Sequence, residues 1–532
     1  MPTARLNTQS AFLPFLSTQV GQNVLASSEV DKHFVVRAAY VGRPAQDKDI
    51  GIPMPIYGEN ILPTSIGWES ISYREKIRSI PNSNFNQVHV LRGSTEHNVL
   101  FSPAQGKNYI ASNNTWTPHP LPETVAGLVT TAYLKLRSFI CYQRQTILEY
   151  NVTTQAFTTP SITGLDLSNI DGITTANNAM IAWNETSIFW SSFIDPIDFT
   201  PSLSSGAGTM NPTQARGRIV ACLPTADGFI IYTTANAIHA AWSNNIRFPW
   251  VLTEIKGSSG ITNPEHVTFE ANYSGHFAWT SNGLMSVTKG EASLVFPEVT
   301  DFLTGNLVEE FIGTTHHQSH QNLSSAFSSL AQTWNDLPPG ANLLQQIKLT
   351  QNPWIKLTLV GSRFLCISYG YKTHGIYDWV IVYDTSLERF GKLRIPHVDV
   401  FNYRPQPGEQ PQANTSIGLI NNLGLVSIVD FSYAEHGQGV LFYGRLQVAQ
   451  GTWLQLNKVE LQCTRSTTPE LLISPSYDGV NLEQPQIPYV AIDTAHKKEW
   501  FTRISALSVN LIFYGDFSIS SAQIDFSMGG SR

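Results

Sequence analysis

Charged side chains are scarce in this chain of 532 residues. Asp, Glu, Lys and Arg make up 14% of the sequence, against about 25% in an average soluble protein. The 33 basic and 40 acidic residues give a net charge of -7, whereas proteins that hold nucleic acid tightly usually present a basic surface. The charge balance therefore argues against tight DNA binding.

Cysteine is rarer still, with four in the whole chain. Cys141, Cys222, Cys366 and Cys463 lie far apart, show no CxxC spacing and stand in separate apolar stretches. Isolated cysteines in such stretches usually behave as small apolar core residues. The sequence therefore predicts four buried, reduced thiols rather than a structural disulfide.

Long apolar runs are also absent. No segment approaches the run of about 18 uncharged apolar residues that a membrane helix needs. The stretch Ala11-Phe-Leu-Pro-Phe-Leu16 is short and interrupted by proline, unlike the apolar centre of a secretory signal. The sequence predicts no membrane span and no targeting segment.

The common signature motifs of enzymes are missing too. The sequence has no Walker phosphate loop, no HExxH zinc motif, no GxSxG nucleophile turn and no GxGxxG dinucleotide motif. Each of these motifs places specific groups around a reacting atom or a phosphate. Their absence weakens an enzyme interpretation, and we predict no catalytic, cofactor-binding or metal-binding residues.

Aromatic residues, Thr, Ser and Asn are abundant by contrast, as is typical of strands and turns. From about residue 85, short apolar or alternating runs are separated by Gly, Asn, Asp and Pro. This is the pattern of successive hairpins. The sequence therefore predicts an all-β protein.

A hairpin unit recurs along the chain. It consists of an apolar strand, a polar turn and a second strand, as in Arg137-Ser-Phe-Ile-Cys-Tyr142 followed by Ile147-Leu-Glu-Tyr150. Five equivalent points are separated by 41, 41, 49 and 48 residues, and they are Asn98, Phe139, Met180, Phe229 and Phe277. Four-stranded propeller blades repeat every 40 to 50 residues or so. The spacing predicts a β-propeller of six to eight blades over residues 85–450.

The repeat is interrupted at residues 298–350. Helical patterns are found at Val299–Leu303 and at Leu323–Trp334, and the second ends before Pro338-Pro-Gly340. We predict an inserted helical segment that projects from the propeller.

The two ends of the chain differ from the repeat. Residues 451–532 contain the alternating strand Trp453–Leu461 and a Tyr477-Asp-Gly479 turn signal, which predict a C-terminal antiparallel β-domain resembling a small sandwich. Residues 1–84 are richer in proline and glycine. We predict that they form an N-terminal arm or docking segment.

Two clusters of potential ligands or catalytic groups have simpler structural explanations. His316, His317 and His320 could share a metal if they lay on a helix, but Gln, Ser and Asn surround them, which favours a solvated loop. Asp195 and Asp198 could perform acid–base chemistry or hold calcium. Pro196 and the following Phe-Thr-Pro sequence favour a turn between blades in which each Asp caps backbone amides.

Three arginines form a third candidate cluster. Arg216, Arg218 and Arg247 could contact phosphates, but they are spread over about thirty residues of predicted β-structure. We expect them to pair with acidic side chains or to face a neighbouring molecule.

Three stretches resemble the tail nozzle proteins, also called tail hub or tail tubular proteins, of short-tailed bacteriophages. The stretches are Ile188–Pro201 with Gly206-Ala-Gly208 and Asp227–Thr234; Val295–Leu303 with Trp379–Asp384; and Ser474–Val480 before Trp500, Arg503 and Ile504. The resemblance covers about residues 85–525. The resemblance implies a propeller with a helical insertion and a terminal β-domain, and it offers no catalytic residues.

The resemblance also implies a function and partners. The expected protein is a structural component of the virion tail, made in the host bacterial cytoplasm. It would form a homo-oligomeric ring, of six copies by resemblance, that contacts the tail adaptor near the portal and distal tail proteins or fibres. Double-stranded DNA would pass through the ring without sequence-specific contacts. Modest charge suits this role, because a strongly basic channel would retain the DNA.

Two other functions remain open from the sequence. One is a receptor-binding or carbohydrate-binding tail propeller. The other is a propeller glycosidase, which would need two placed carboxylates and substrate-binding arginines. Sialidase-like propellers repeat an S-x-D-x-G-x-T-W turn, of which only the fragment Ser476-Tyr-Asp-Gly479 is present.

Overall fold

The computed structural model describes residues 3–6, 23–26, 35–37, 55–64, 67–71, 73–78, 87–92, 96–101, 107–269, 275–303, 354–370, 375–404, 416–429, 439–447, 453–464, 466–477, 486 and 488–528. Strands dominate these ranges, and the predicted all-β class is confirmed. No helix in the described ranges is long and apolar enough to cross a membrane.

Seven strands precede the repeating part of the chain. They are β1 (Thr3–Leu6), β2 (Asn23–Ala26), β3 (Val35–Arg37), β4 (Pro55–Glu59), β5 (Ile61–Pro63), β6 (Trp68–Ser70) and β7 (Tyr73–Ile77). All seven pair with strands that come much later in the chain or with each other.

Five consecutive four-stranded antiparallel sheets follow, and in each the spatial order of the strands is their chain order. This meander is the form of a propeller blade. Blade 1 contains β8 (Gln87–Arg92), β9 (Glu96–Phe101), β10 (Lys107–Ser112) and β11 (Thr115–Pro120), and blade 2 contains β12 (Val129–Leu134), β13 (Arg137–Tyr142), β14 (Thr146–Asn151) and β15 (Ala156–Thr158). Blade 3 contains β16 (Gly172–Ala176), β17 (Ala179–Trp183), β18 (Ile188–Trp190) and β19 (Gly208–Met210), and blade 4 contains β20 (Ile219–Thr225), β21 (Gly228–Thr233), β22 (Ala237–Trp242) and β23 (Trp250–Glu254). Blade 5 contains β24 (Val267–Thr268), β25 (His276–Thr280), β26 (Gly283–Val287) and β27 (Ala292–Leu294).

Two further strand groups close the ring. Blade 6 contains β28 (Trp354–Val360), β29 (Phe364–Gly370), β30 (Tyr377–Asp384) and β31 (Arg389–His397), and blade 7 contains β32 (Asp399–Tyr403), β33 (Ser416–Ile420) and β34 (Val426–Val429). The fourth strand of blade 7 is β7, from the N-terminal region. Blades 1 to 5 and blade 7 are therefore six separate four-stranded sheets, whereas blade 6 is part of a larger sheet. Blade 6 is continuous with a larger sheet, and its inner strand β28 contacts β24 on one side and β32 on the other. Because β32 also contacts β8, the ring is closed, and the predicted six-to-eight-bladed propeller is confirmed.

The second strand of each blade is buried on both faces, which explains the repeat seen in the sequence. All five residues of β17 are buried, as are all six of β21. A strand covered on both faces reads as a continuous apolar run rather than an alternating one. The five equivalent points, from Asn98 to Phe277, all lie on these second strands.

A β-sandwich is formed by the last part of the chain together with N-terminal strands. Its later strands are β35 (Gly439–Gln447), β36 (Leu454–Cys463), β37 (Thr468–Ser476), β38 (Tyr489–Asp493), β39 (Lys497–Ala506), β40 (Ser508–Asp516) and β41 (Ser518–Met528). One sheet continues from blade 6 in the order β31-β5-β6-β41-β36-β39-β38, with β1 on β41, and the other has the order β3-β2-β35-β40-β37, with β4 on β35. The predicted C-terminal antiparallel β-domain is confirmed as a largely antiparallel sandwich, in which only β2 and β35 pair in parallel among the described strands. Its bounds differ from the predicted 451–532, because β35 precedes residue 451 and the described strands of residues 1–84 belong to the sandwich and to blade 7 rather than to a separate arm.

Large apolar side chains fill the space between the two sheets of the sandwich. Trp68 from β6 and Trp500 from β39 share this core with Leu456 and Phe513. Burying an aromatic or leucine side chain contributes about 1.5–3 kcal/mol. Since Trp68 comes from the N-terminal region, strands from both ends of the chain stabilise the same core.

The predicted helical insertion is not evident as such. The single α-helix in the described ranges is α1 (Pro297–Leu303), whose Val299 and Leu303 are buried. The second predicted helix at Leu323–Trp334 and the histidines at 316, 317 and 320 lie outside the described residues. The Asp478-Gly479 turn also lies outside them.

Candidate functional site

The inner strands of the seven blades enclose a cavity of about 960 Å³ along the propeller axis. The inner strand of each blade is its first strand, and all seven of these strands contribute residues to the cavity wall: β8, β12, β16, β20, β24, β28 and β32. This volume is at the upper end of the range of small-ligand pockets, about 300–1,000 Å³. It is far too small for duplex DNA.

Charged groups in the cavity wall nearly balance. The charged residues there comprise five cations and four carboxylates, and they are Arg92, Arg144, Arg218, Lys356, Arg404, Asp171, Glu185, Glu265 and Asp399. Every one of them takes part in an ion pair within the described structure. The cavity therefore presents no block of one charge sign to a ligand.

A buried ion triad lies where blades 5, 6 and 7 meet. The Lys356 Nζ on β28 is 2.9 Å from Asp399 Oδ1 on β32 and 3.0 Å from Glu265 Oε1, which belongs to the 3₁₀ helix Pro264–His266 before β24. The Lys356 side chain is 10% exposed and the Asp399 side chain 5%. Asp399 Oδ2 also accepts a hydrogen bond of 2.8 Å from the Val88 amide in blade 1. The triad thus ties four blades together.

Burial and the neighbouring charges shift the pKa values of this triad in opposite directions. Burial alone would lower the pKa of Lys356, but Asp399 and Glu265 outweigh it and raise that pKa above its usual range. Burial raises the pKa of Glu265, yet Lys356 reverses the effect and the pKa is lowered. For Asp399 burial prevails and the pKa is raised. Lys356 is therefore a charged, structural group rather than a proton donor at neutral pH.

Three buried histidines of the propeller are neutral at pH 7, and one of them, His89, lies in the cavity wall. Burial lowers the pKa of His89, His276 and His397 to about 4 in each case. His397 Nε2 lies 2.8 Å from Ser368 Oγ, and His276 Nδ1 lies 2.8 Å from Tyr232 Oη. General acid–base catalysis near pH 7 works best with a group that titrates near that pH, and these three do not.

A second ion-pair network lies in the part of the wall contributed by blades 2, 3 and 4. Arg144 Nε is 2.7 Å from Asp171 Oδ1, and Arg144 Nη2 is 2.7 Å from Glu185 Oε1. Arg218 Nη1 lies 3.9 Å from the same Glu185 oxygen. The Arg144 and Glu185 side chains are about half exposed, so solvent screens this network more than the buried triad.

Asp195 and Asp198 cap backbone amides as predicted, but their turn lies inside blade 3, between β18 and β19, and not between two blades. Asp195 Oδ1 accepts a hydrogen bond from the Ile197 amide at 3.2 Å, and Asp198 Oδ1 accepts one from the Thr200 amide at 3.0 Å. The Thr163 hydroxyl also donates to Asp198 Oδ1 at 2.9 Å. These hydrogen bonds lower the pKa of Asp198, with that from the Thr200 amide contributing most.

The three candidate arginines do not form one site. Arg216 pairs with Glu254 at 2.8 Å, Arg218 approaches Glu185, and Arg247 lies on the exposed loop before β23. No group of three or more His, Cys, Asp and Glu residues in the described ranges is placed to hold a metal ion.

The four cysteines are buried thiols, as predicted. Burial raises the pKa of the Cys141 thiol to about 12 and raises those of Cys222 and Cys366 as well. A thiol with a raised pKa is almost fully protonated at pH 7 and is a poor nucleophile.

A group of exposed apolar side chains covers one region of blades 2 to 4. This propeller patch consists of Leu136 (76% exposed), Ile194 (76%), Leu203 (70%), Ile246 (50%) and Phe248 (74%). Its parts are connected by contacts: the Lys135 ammonium donates to the carbonyls of Phe193 and Ile194, and Gly206 is in close contact with both Phe193 and Ile246.

A second exposed apolar group lies at the edge of the sandwich. This sandwich patch consists of Tyr489 (76% exposed), Val490 (42%) and Ile492 (37%) on β38, and Phe501 (49%) on β39. Strand β38 ends its sheet, pairs only with β39 among the described strands, and has all five residues exposed. Tyr489 and Phe501 are directly opposite each other in the register.

Comparison with known proteins supports no family assignment. No protein-family model and no curated protein matches the sequence. Solved structures that share features include the BT4673 extracellular domain from B. thetaiotaomicron (11% identity, 72% of this chain and 44% of that chain, TM-score 0.39). The WD40 β-propeller domain of Doa1 is 10% identical, and the match covers 68% of this chain and 98% of that chain with a TM-score of 0.37. The virginiamycin B lyase from Staphylococcus aureus is 9% identical, and the match covers 68% of this chain and 100% of that chain with a TM-score of 0.39.

These similarities are too weak to indicate a function. The chain spans less than half the length of the BT4673 extracellular domain, and the identities are 11% or lower. The assignment of the propeller rests instead on the strand order of the chain itself.

Sequence reasoning missed both the ion triad and the two patches. Lys356, Glu265 and Asp399 are separated by up to 134 positions, and only ring closure brings them together. Leu136 did carry a signal, since a leucine in the turn between β12 and β13 is unusual where Asn and Gly are preferred.

Proposed function

We propose that the protein is a non-enzymatic subunit of a ring-shaped assembly, namely the tail nozzle of a short-tailed bacteriophage. In this proposal about six copies form the ring in the virion tail. The ring contacts the tail adaptor and distal tail proteins or fibres, and packaged DNA passes through the space that the copies enclose. The propeller axis itself is excluded as the route, because its cavity holds only about 960 Å³.

The observation that carries the proposal is the presence of two different exposed apolar patches on one chain. Patches of this kind on a folded protein usually mark interaction sites. A two-fold dimer needs one self-complementary patch, whereas a ring needs two different patches that match each other. The propeller patch and the sandwich patch differ in composition and belong to different parts of the fold.

The charge distribution agrees with passage of DNA rather than retention of DNA. The chain carries a net charge of -7, with 33 basic against 40 acidic residues, so it has no excess of basic groups to offer a DNA backbone. Free basic groups release counterions when they bind phosphates, and this would hold the DNA in place.

The assembly state of the full-length chain tests the proposal. Native mass spectrometry and negative-stain images of protein at tens of micromolar should show a closed ring with a central opening. A monomer at every concentration, or a two-fold dimer, would overturn it. In an infected host, particles lacking the protein should fill their heads but leak DNA, whereas stable DNA-full particles with complete tails would contradict a nozzle role.

A receptor-binding or carbohydrate-binding propeller is the second candidate. The axial cavity favours it, since its volume suits a small ligand and its wall mixes apolar with paired polar groups. A glycan array, followed by thermal-shift measurements with any bound glycan, would distinguish the two. Saturable glycan binding by a monomeric protein would favour this candidate over the ring.

A further inference from the structure

We infer that the propeller patch of one copy binds the sandwich patch of the next copy. This inference rests on the proposed ring. It adds which two surfaces meet at each contact between neighbouring copies. The occupant of each patch is therefore a second copy of this chain, joined through two different surfaces.

Next to the propeller patch lies a cluster of aromatic rings in contact with one another. The ring of Phe193 lies edge-on to Trp242 at 4.8 Å, and Trp242 lies edge-on to Trp250 at 5.5 Å. Trp250 also contacts Phe229 and Trp190 in the same edge-to-face manner. A surface that is already rigid loses little conformational entropy on binding.

Backbone strain holds one member of the propeller patch in its exposed position. Lys135 and Leu136 both have left-handed backbone angles, with φ of 51° and 62°. Such a conformation costs about 1–3 kcal/mol for a residue other than glycine. The equivalent turn in blade 3 is made by Asn177 and Asn178, which tolerate this conformation far better.

The strain at this turn is maintained by a specific contact. Lys135 Nζ donates to the Phe193 carbonyl at 2.9 Å and also to the Ile194 carbonyl. The turn of blade 2 is thereby fixed to the loop of blade 3, with Leu136 and Ile194 both 76% exposed. An exposed leucine in a strained turn adds nothing to the isolated subunit, so its use lies in a contact outside the subunit.

The sandwich patch has the properties of an edge that is covered in an assembly. Natural edge strands are usually protected by lysine, proline or a covering element. Strand β38 has the sequence Tyr-Val-Ala-Ile-Asp, in which four consecutive residues between Pro488 and Asp493 are apolar or aromatic and exposed. Its apolar side chains and that of Phe501 lie at the end of the sheet.

One pair of opposite charges favours the proposed pairing of the two patches. In the propeller patch an exposed cation, Arg247, stands between Ile246 and Phe248, and no ion-pair partner is found for it in the described ranges. In the sandwich patch an exposed carboxylate, Asp493, follows Ile492, and its side chain is 60% exposed although Lys498 Nζ is 3.1 Å away. Opposite charges beside apolar groups favour this pairing over that of two identical patches.

Patch variants of the full-length chain test the inference by mixing. Phe248→Ser disables the propeller patch, and Tyr489→Ser disables the sandwich patch. Each variant alone should be monomeric at the concentration where half of the wild type is assembled, and its own half-assembly concentration should be about tenfold higher or more. When mixed, they should form a one-to-one dimer, because one intact pair of patches remains. Glu123→Lys, which changes an exposed residue outside both patches, should assemble like the wild type.

A charge exchange provides an independent measurement. Arg247→Glu and Asp493→Arg should each weaken assembly, and the double variant should recover most of the loss. Circular dichroism should be unchanged in every variant, and the melting temperature of Arg247→Glu should match that of the wild type, because Arg247 is exposed. Asp493→Arg also removes the partner of the buried Lys498 ammonium, so its melting temperature is compared with that of Asp493→Ala, which breaks the same pair without adding a cation. These controls separate loss of assembly from loss of folding.

The outcomes distinguish failure of this inference from failure of the proposed function. If the wild type forms rings and both patch variants form them equally well, the docking surfaces are wrong while the ring survives. If the two variants assemble alone but not with each other, the contact is two-fold and the inference is overturned. If the wild type is monomeric at every concentration, both the ring and its docking surfaces are overturned.

Discussion

Replacing Lys356 with methionine should strongly destabilise the propeller. The substitution keeps much of the side-chain volume but removes the ammonium that lies 3.0 Å from Glu265 Oε1 and 2.9 Å from Asp399 Oδ1. Breaking a buried ion pair by removing one partner costs about 3–5 kcal/mol, because a buried charge is left without compensation. Here two carboxylates lose the same cation, so we expect a loss at the upper end of that range.

The effect should be visible in the melting temperature. A loss of this size corresponds to a fall of roughly 5–15 °C in a domain of a few hundred residues. Differential scanning calorimetry measures the fall, and hydrogen exchange should show faster opening of β28 and β32. Lys289→Met is the matched control, since Lys289 pairs with Asp227 at 2.9 Å but both side chains are more than 40% exposed. Its cost should stay below about 1 kcal/mol.

The pH dependence of the variant gives a second check on the cause. Without the ammonium of Lys356, burial raises the pKa of both carboxyl groups in the folded variant above their values in the unfolded chain. The destabilisation should therefore be largest at pH 8 and should shrink as the pH falls toward 5, where the buried carboxyls become protonated.

A coupled substitution completes the test of the triad. Glu265→Gln should cost stability in the wild type but restore part of it in the Lys356→Met background, because it removes one uncompensated charge. The reasoning is refuted if Lys356→Met costs no more than Lys289→Met, or if its effect does not depend on pH.

Three further predictions concern other parts of the fold. None of the four thiols should react with a thiol reagent in the native protein, and all four should react after denaturation; any native disulfide would contradict this. Hydrogen bonds, led by that from Lys458, overcome the effect of burial and lower the pKa of Glu460 to about 2. The ionised Glu460 therefore stabilises the fold above about pH 4.5, and this stabilisation is lost as the pH falls through 2. Glu460→Gln should accordingly make the free energy of unfolding less dependent on pH in this range. Leu136→Gly should raise the melting temperature, by relieving about 1 kcal/mol of left-handed strain, while weakening assembly; a lower melting temperature would show that the turn is not strained.

The repeating part of the fold could be predicted because each blade is local. Strand β13 occupies Arg137–Tyr142, the same residues as the predicted apolar run. Tight turns join such strands to their neighbours, so the pattern of apolar runs and turn residues in a short window contains the needed information.

Non-local features could not be predicted from such patterns. Strand β7 pairs with β34, so that Tyr73 lies opposite Val429, and nothing in either segment specifies a partner more than 350 positions away. The patches were hidden for a different reason. Ile194 and Ile246 have the same hydrophobicity as core isoleucines, and only the tertiary structure decides which isoleucines are covered.

The closure of the propeller bears on how a ring could form. A ring of several copies closes only if each subunit holds its two binding surfaces at a fixed angle, because small errors add up around the ring. Blade 7 is completed by β7 from the N-terminal region, and the Lys356 triad joins blades 5, 6 and 7 next to that point. The sheet that begins with blade 6 continues through β5 into the sandwich. The strongest buried electrostatic contacts in the cavity wall therefore lie where the propeller closes and where its sheet leads to the sandwich patch, as a rigid ring subunit would require.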